Sequence, residues 1–223
     1  KVEFIEKYNL DKKKVTVLPS GSSINQNFLK PKIKKNLNIG YLGSLYNSRG
    51  FNLIQKLAKI DKTNNYYLYG SIGDHKKFIS KNLNTNLYIN DYVTYRKIPQ
   101  ILRKMDIFIM PYVSSVTAAG DVGNITKYTS PLKLFDYLSA GRVIICSNLE
   151  VLKEILSENK NAIFIKNFKN AFAWKMEIKR LVNQKNKIMI MSKNNYKHSK
   201  KYSHYKRGQK ILNIIESNIK NVS

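Results

Sequence analysis

Lys133 and Asp136 stand three residues apart in "YTSPLKLFDYLSAG" (128–141), a spacing that puts both on one face of a helix. Around them Leu132, Leu134, Phe135, Tyr137 and Leu138 are apolar on most of the circumference, the mark of a buried helix. Two readings of the charged pair compete. One is a local i,i+3 ion pair on a partly exposed face. The other is a ligand site, with the ammonium a point charge for phosphate and the carboxylate an acceptor for the two hydroxyls of a ribose. Ser130 suits the N-cap, Pro131 the first helical position and Gly141 the residue just past the end. The first free N–H groups, of Leu132 and Lys133, would then also suit a diphosphate.

A second group with the same chemistry lies upstream. Gly43 and Ser44 close the strand-like "LNIGYLGSL" (37–45), and Arg49-Gly50 opens the helix-like "SRGFNLIQKLAKI". Glycine lets a backbone approach phosphate closely, and Arg49 would add positive charge at a helix start. The glycines of "GYLGSLYNSRG" do not make a dinucleotide fingerprint. An ordinary strand–helix turn with a solvated arginine is the competing reading.

The elements that must position these residues alternate along the chain. Strands are expected at 15–18, 37–45, 66–70, 86–90, 106–112, 143–147 and 162–165, most of them short continuous apolar runs. Helices are expected in 48–60, in "HKKFISKN" (75–82), in 95–105, in the quoted stretch, in "LEVLKEIL", over 169–184, and as a long basic helix over 186–219. The turn-rich "VSSVTAAGDVGNITKYT" reads as a loop. Such alternation predicts an α/β fold, a doubly wound Rossmann-like parallel sheet with a C-terminal helical extension. Ligands in that fold sit beyond the carboxyl ends of the strands, where Gly43, Gly70, Pro111 and Pro131 all fall.

Composition bounds the function. The formal charge of +26 reads as codon bias, because Lys greatly exceeds Arg and rises together with Asn, Ile and Tyr. Base readout favours arginine and a focused patch, so a specific nucleic-acid partner is not expected, whereas loose attraction to anionic lipid fits. The single cysteine, Cys146, lies in the apolar "VIICSN" and reads as a buried thiol in a reducing compartment. No apolar run approaches the roughly 20 residues that span a bilayer. The histidines, His75, His198 and His204, fall on polar stretches read as exposed. None has a sequence partner for catalysis, and no carboxylate cluster is arranged to hold a metal.

Taken together, "YTSPLKLFDYLSAGRVIICSNLEVLKEIL" resembles the donor-site region of glycosyltransferase family 4, with the GT-B fold. The likeness runs in order over the chain, through "VTVLPSGSS", "IGYLGSLYNSRGFNLI", "LYINDYVTYRKIPQILRKMDIFIMPY" and "KYSHYKRGQKIL". It implies roles for named residues. Arg49 would hold the donor diphosphate, with Gly43, Ser44, Ser130, Leu132 and Lys133 lying against it. Asp136 would bind the ribose, and Val93 would lie near the base. Three positions depart from the family pattern: Tyr128 replaces the acid that faces the donor sugar, Ser44 replaces a second phosphate-binding arginine, and Asp136 is one methylene shorter than the usual Glu.

The resemblance therefore implies the nucleotide-sugar-binding C-terminal half of a retaining glycosyltransferase, with a glycan or lipid-linked acceptor and neither a metal nor another cofactor. It divides the chain into a linker and short strand (1–36), a Rossmann-like domain (37–184) and a basic helix (185–223) that crosses back to an N-terminal GT-B domain expected beyond this chain. A bacterial cell-envelope pathway, and a cytoplasmic location with possible contact at the inner face of the plasma membrane, follow from the family and composition. Two alternatives remain open: an inactive nucleotide-sugar-binding module, and a basic nucleic-acid or membrane-surface protein.

Overall fold

A computed structural model describes residues 2–32, 34–71, 85–118 and 122–220. Six strands form one parallel sheet: β1 Asn38–Leu42, β2 Asn65–Tyr69, β3 Leu87–Asn90, β4 Ile107–Met110, β5 Val143–Ser147 and β6 Ala162–Ile165, in the spatial order β3-β2-β1-β4-β5-β6. The order reverses between β1 and β4, which opens a crevice at their carboxyl ends. Both faces of the sheet are covered, so the central strands are apolar without alternation; every residue of β4 and β5 is buried.

Eight α-helices are described: α1 Val2–Tyr8, α2 Phe51–Ile60, α3 Ile98–Lys104, α4 Leu132–Ser139, α5 Glu150–Lys153, α6 Ala171–Val182, α7 Lys185–Ser199 and α8 His204–Lys220. On one face of the sheet, Ile54 and Leu57 of α2, Trp174 and Ile178 of α6, and Met191 of α7 pack over Ile39, Tyr66 and Ile145. On the other, Leu102 of α3, Leu134, Phe135 and Leu138 of α4, and Leu152 of α5 pack over Phe108, Ile144 and Cys146. The thiol of Cys146 is buried, as its apolar surroundings require.

The placement of α4 matters most for the crevice. Its Tyr137 ring stacks on Phe108 of β4 with centroids 4.0 Å apart, and its hydroxyl accepts from the Leu42 amide at 2.7 Å. That bond ties the helix bearing Lys133 and Asp136 to the last residue before Gly43.

Several expectations need correction. Residues 15–18 form no strand; Val17 is exposed and no neighbouring edge pairs with the segment. The quoted helix starts one residue late, because Pro131 has extended backbone (ψ 107°) and is itself the N-cap, not the first helical residue. Ser130 therefore does not cap it. The long basic helix is two helices, broken at 200–203, and α7 contributes Ile188 and Met191 to the core. His198 is not on an exposed face: its Nε2 lies 2.9 Å from the Ile155 carbonyl, which draws the ring partly under cover. The helix expected at 75–82, with His75, lies outside the described residues.

Tyr137→Phe should leave the buried Leu42 amide without its acceptor, at a cost of about 1–3 kcal/mol. Thermal unfolding should show a fall in Tm of about 2–4 °C per kcal/mol lost. An unchanged Tm would mean that another acceptor serves that amide.

Candidate functional site

Gly43, Lys133 and Arg49 meet at the reversal point. The Lys133 ammonium donates to the Tyr41 hydroxyl at 2.8 Å and lies 4.0 Å from the centre of the Tyr41 ring and 5.6 Å from that of Tyr112. Tyr41 in turn donates to the Ser44 carbonyl at 3.0 Å, so the lysine and the Gly43-Ser44 turn share one hydroxyl. A methyl group on Gly43 would collide with the ammonium, and the φ of +128° at that residue is one that L side chains rarely adopt. Glycine suits the backbone turn, and a Cβ there would displace the Lys133 ammonium from its place against Tyr41.

Arg49 ends a short 3-10 turn, Asn47–Arg49, that packs onto the end of β4. Gly50 (φ +89°) follows it, and a Cβ there would strike the Pro111 carbonyl. Arg49 Nη2 donates to the Thr117 carbonyl at 2.9 Å, while the hydroxyls of Ser48 and Thr117 lie 2.5 Å apart. The guanidinium lies beside the Tyr112 hydroxyl, near enough to oppose the rise of its pKa. Among the described residues, Arg49 Nε and the Tyr112 hydroxyl are buried polar atoms with no partner.

The electrostatics agree. Burial, and then the charge of Arg49, push the Lys133 ammonium well below the usual lysine range. Burial raises the Tyr112 phenol to about 12, against the opposing pull of Arg49. Among the described residues no carboxylate forms a salt bridge with Lys133. Lys133 and Arg49 thus lie close together, with no counter-anion among the described residues, beside a helix start that no side chain caps, an arrangement whose charge suits an anion.

Asp136 lies one turn further along and does not pair with Lys133, so the ion-pair reading of the two residues fails. Its Oδ1 accepts from the Ser22 hydroxyl at 2.6 Å and from the Tyr95 hydroxyl at 3.3 Å. Burial lifts its carboxyl above the usual aspartate range, opposed by those two hydrogen bonds and by the charge of nearby His204. Of the remaining sequence candidates, Leu132 is exposed at the start of α4 and Ser130 is exposed just before it. Ser44 is half-buried in the Gly43 turn, and Val93 packs half-buried against the second core cluster, two residues before Tyr95.

Tyr41, Tyr112, Ser22 and Tyr95 are the members that sequence reasoning missed. Tyr41 and Tyr112 sit in strand-like apolar runs and read as core. Ser22 belongs to the "PSGSS" turn, whose partner lies more than a hundred residues away.

Over residues 36–184, more than half of the chain, the sequence matches the family described as Glycosyl transferases group 1. The chain belongs to this family. Among solved structures, Anabaena HepE in complex with UDP-glucose is similar with TM-score 0.64 and 13% identity, over 82% of this chain and 49% of that one. A Rickettsia africae glycosyltransferase has TM-score 0.73 and 16% identity, over 99% and 61%. A TarM mutant from S. aureus, in complex with fondaparinux, alpha-GlcNAc-glycerol and UDP, has TM-score 0.69 and 16% identity, over 95% and 41%. This chain spans about half the length of the HepE chain. No curated protein sequence matches it. These similarities establish the GT-B-type Rossmann-like fold.

With its pKa below the unfolded value, a charged Lys133 costs stability. The cost is full below the depressed folded value, shrinks as pH rises between the two values, and is gone only above the unfolded value. Lys133→Met should therefore stabilise the unliganded chain at neutral pH, by about 1 kcal/mol or a Tm rise of roughly 2–4 °C. It should also weaken diphosphate binding at least tenfold. A lower Tm would show that the bond to Tyr41 outweighs the unpaired charge.

Proposed function

We propose that this chain is the nucleotide-sugar-binding half of a retaining glycosyltransferase. The observation that carries the reading is the junction of Lys133, Arg49 and the uncapped start of α4 at the strand-order reversal, with Asp136 one turn beyond. In this reading the two cations and the N–H groups of Leu132 and Lys133 take the diphosphate of the donor. They act most strongly as the sugar–phosphate bond breaks and negative charge builds on the departing oxygen. Gly43 and Ser44 admit the phosphates closely, Asp136 accepts from the ribose hydroxyls, and the loop through Val93 lies near the base. No step calls for a metal.

Retention of anomeric configuration and a glycan or lipid-linked acceptor rest on the family resemblance. The UDP and UDP-glucose in the similar structures make a uridine donor the first to test. WaaG, a glycosyltransferase involved in lipopolysaccharide biosynthesis, is also similar in structure and favours an envelope glycan as product. The acceptor would be held by an N-terminal domain. The exposed Leu212, Ile215 and Ile219 on α8 are the apolar surface that such a domain would cover. Among the described residues no helix is long and apolar enough to cross a membrane. One observation favours an inactive binding module: Tyr128, an exposed tyrosine in the segment before α4, stands where the family resemblance places an acid.

Calorimetric titration with UDP, GDP and ADP tests the reading. The expected result is saturable binding of one nucleotide, weakened at least tenfold by Asp136→Ala and by Arg49→Ala. Equal, salt-sensitive binding of all three by every variant would reduce the site to a generally basic surface.

A further inference from the structure

Asp136 does not hold its own position. Its Oδ1 is fixed by the Ser22 hydroxyl at 2.6 Å, and that hydroxyl also accepts from the Ile24 amide at 3.0 Å. Ser22 is buried, and its backbone is clasped to the break between α7 and α8. Its amide donates to the Tyr202 carbonyl at 2.9 Å, and its carbonyl accepts from the His204 amide at 3.4 Å. Gly21 lies so tightly against Tyr202 and Ser203 that a Cβ would overlap their backbone. Next to it, Ser23 Oγ lies 2.8 Å from His204 Nδ1. A turn from the first tenth of the chain is thus locked to the start of the last helix, and its one inward hydroxyl ends on the carboxylate.

From this geometry we infer that Ser22 is a positioning residue for the donor site: it fixes one oxygen of Asp136, leaves the other to face the ribose, and makes donor affinity depend on the clasp between residues 21–23 and 202–204. The inference rests on the proposed role of Asp136 in ribose binding. Neither Ser22 nor His204 needs to touch the nucleotide. The arrangement also couples the attitude of α8, with its exposed apolar stripe, to the ribose carboxylate one turn of helix beyond Lys133. Other groups face Asp136. Tyr95 donates to Oδ1 from the turn before α3, His204 acts by charge from α8, and Tyr137 lies beside it on α4.

A hydroxyl bonded to an ionised carboxylate contributes more than an ordinary hydrogen bond. Removing it should weaken the ionised form of Asp136, so that nucleotide binding is lost at a higher pH on acidification. The experiment compares UDP and 2′-deoxy-UDP affinities across the acid range for the unsubstituted chain, Ser22→Ala and Ser22→Thr, with Tm recorded for each. Ser22→Ala is expected to bind UDP about tenfold more weakly, to lose most of its preference for UDP over the 2′-deoxy nucleotide, and to show an acid limb moved upward. Ser22→Thr, which keeps the hydroxyl, should restore both the preference and the limb.

Equal loss for both nucleotides with an unmoved acid limb would make Ser22 structural only and overturn the inference. Unchanged affinity in Ser22→Ala would overturn it as well. Neither result touches the donor-site reading, which fails instead if the unsubstituted chain binds no nucleotide or if Asp136→Ala binds as well as it does.

Discussion

The enclosure of the Lys133 ammonium is the constraint on which the rest of the site depends. A charge removed from water without an acid beside it is costly, and here a second cation, Arg49, adds to the cost. The fold tolerates it through one hydroxyl and one aromatic face, both from Tyr41, and through the missing side chain at Gly43. Those three residues work only if α4 and the end of β1 keep a fixed distance. The bond from the Leu42 amide to Tyr137, and the stacking of Tyr137 on Phe108, hold that distance. Stability given up at the cations is therefore offset by packing immediately behind them.

The two ends of the proposed donor pocket differ in how they are built. The phosphate end draws on neighbouring parts of the sheet: the turn after β1, the loop after β4 and the start of α4. Strand order alone brings these together, since β1 and β4 are adjacent. The ribose end draws on segments far apart in sequence. Ser22 precedes the sheet, Tyr95 follows β3, and His204 begins the last helix. The first end is preorganised by the sheet, and the second is only as firm as the clasp between the chain's early turn and its final helix.

Much of this was legible in the residues. Continuous apolar runs separated by helical periodicity gave the parallel sheet, and Lys133, Arg49 and Gly43, picked out by type and spacing, do come together at the strand-order reversal. Residues whose roles depend on distant partners were not. Tyr41 looks like core because it is core; its hydroxyl matters only once Lys133 lies against it. The Lys133–Asp136 spacing was compatible with an ion pair until Ser22, 114 positions from Asp136, was seen to hold the carboxylate. Of the misplaced boundaries, one had a local cause and one a distant cause. Pro131 took extended backbone and delayed the helix start, and the stretch after residue 199 kept helical composition through a break set by packing against Gly21.

The central claim is that burial and Arg49 hold the Lys133 ammonium below its ordinary range until the diphosphate arrives. Its pKa should be low in the empty site and rise when the anion arrives, so binding should take up protons at any pH between the two values. Affinity should be full below the lower value and fall as pH rises through it. The direct measurement is calorimetry of UDP binding at about pH 8.5, above the phosphate titration near pH 6, in buffers of different ionisation enthalpy. The account expects net proton uptake by the unsubstituted chain, and none in whatever binding Lys133→Met retains. Tight binding with no proton exchange in the unsubstituted chain would contradict it, because the ammonium would then be fully charged in the empty site or far from the diphosphate.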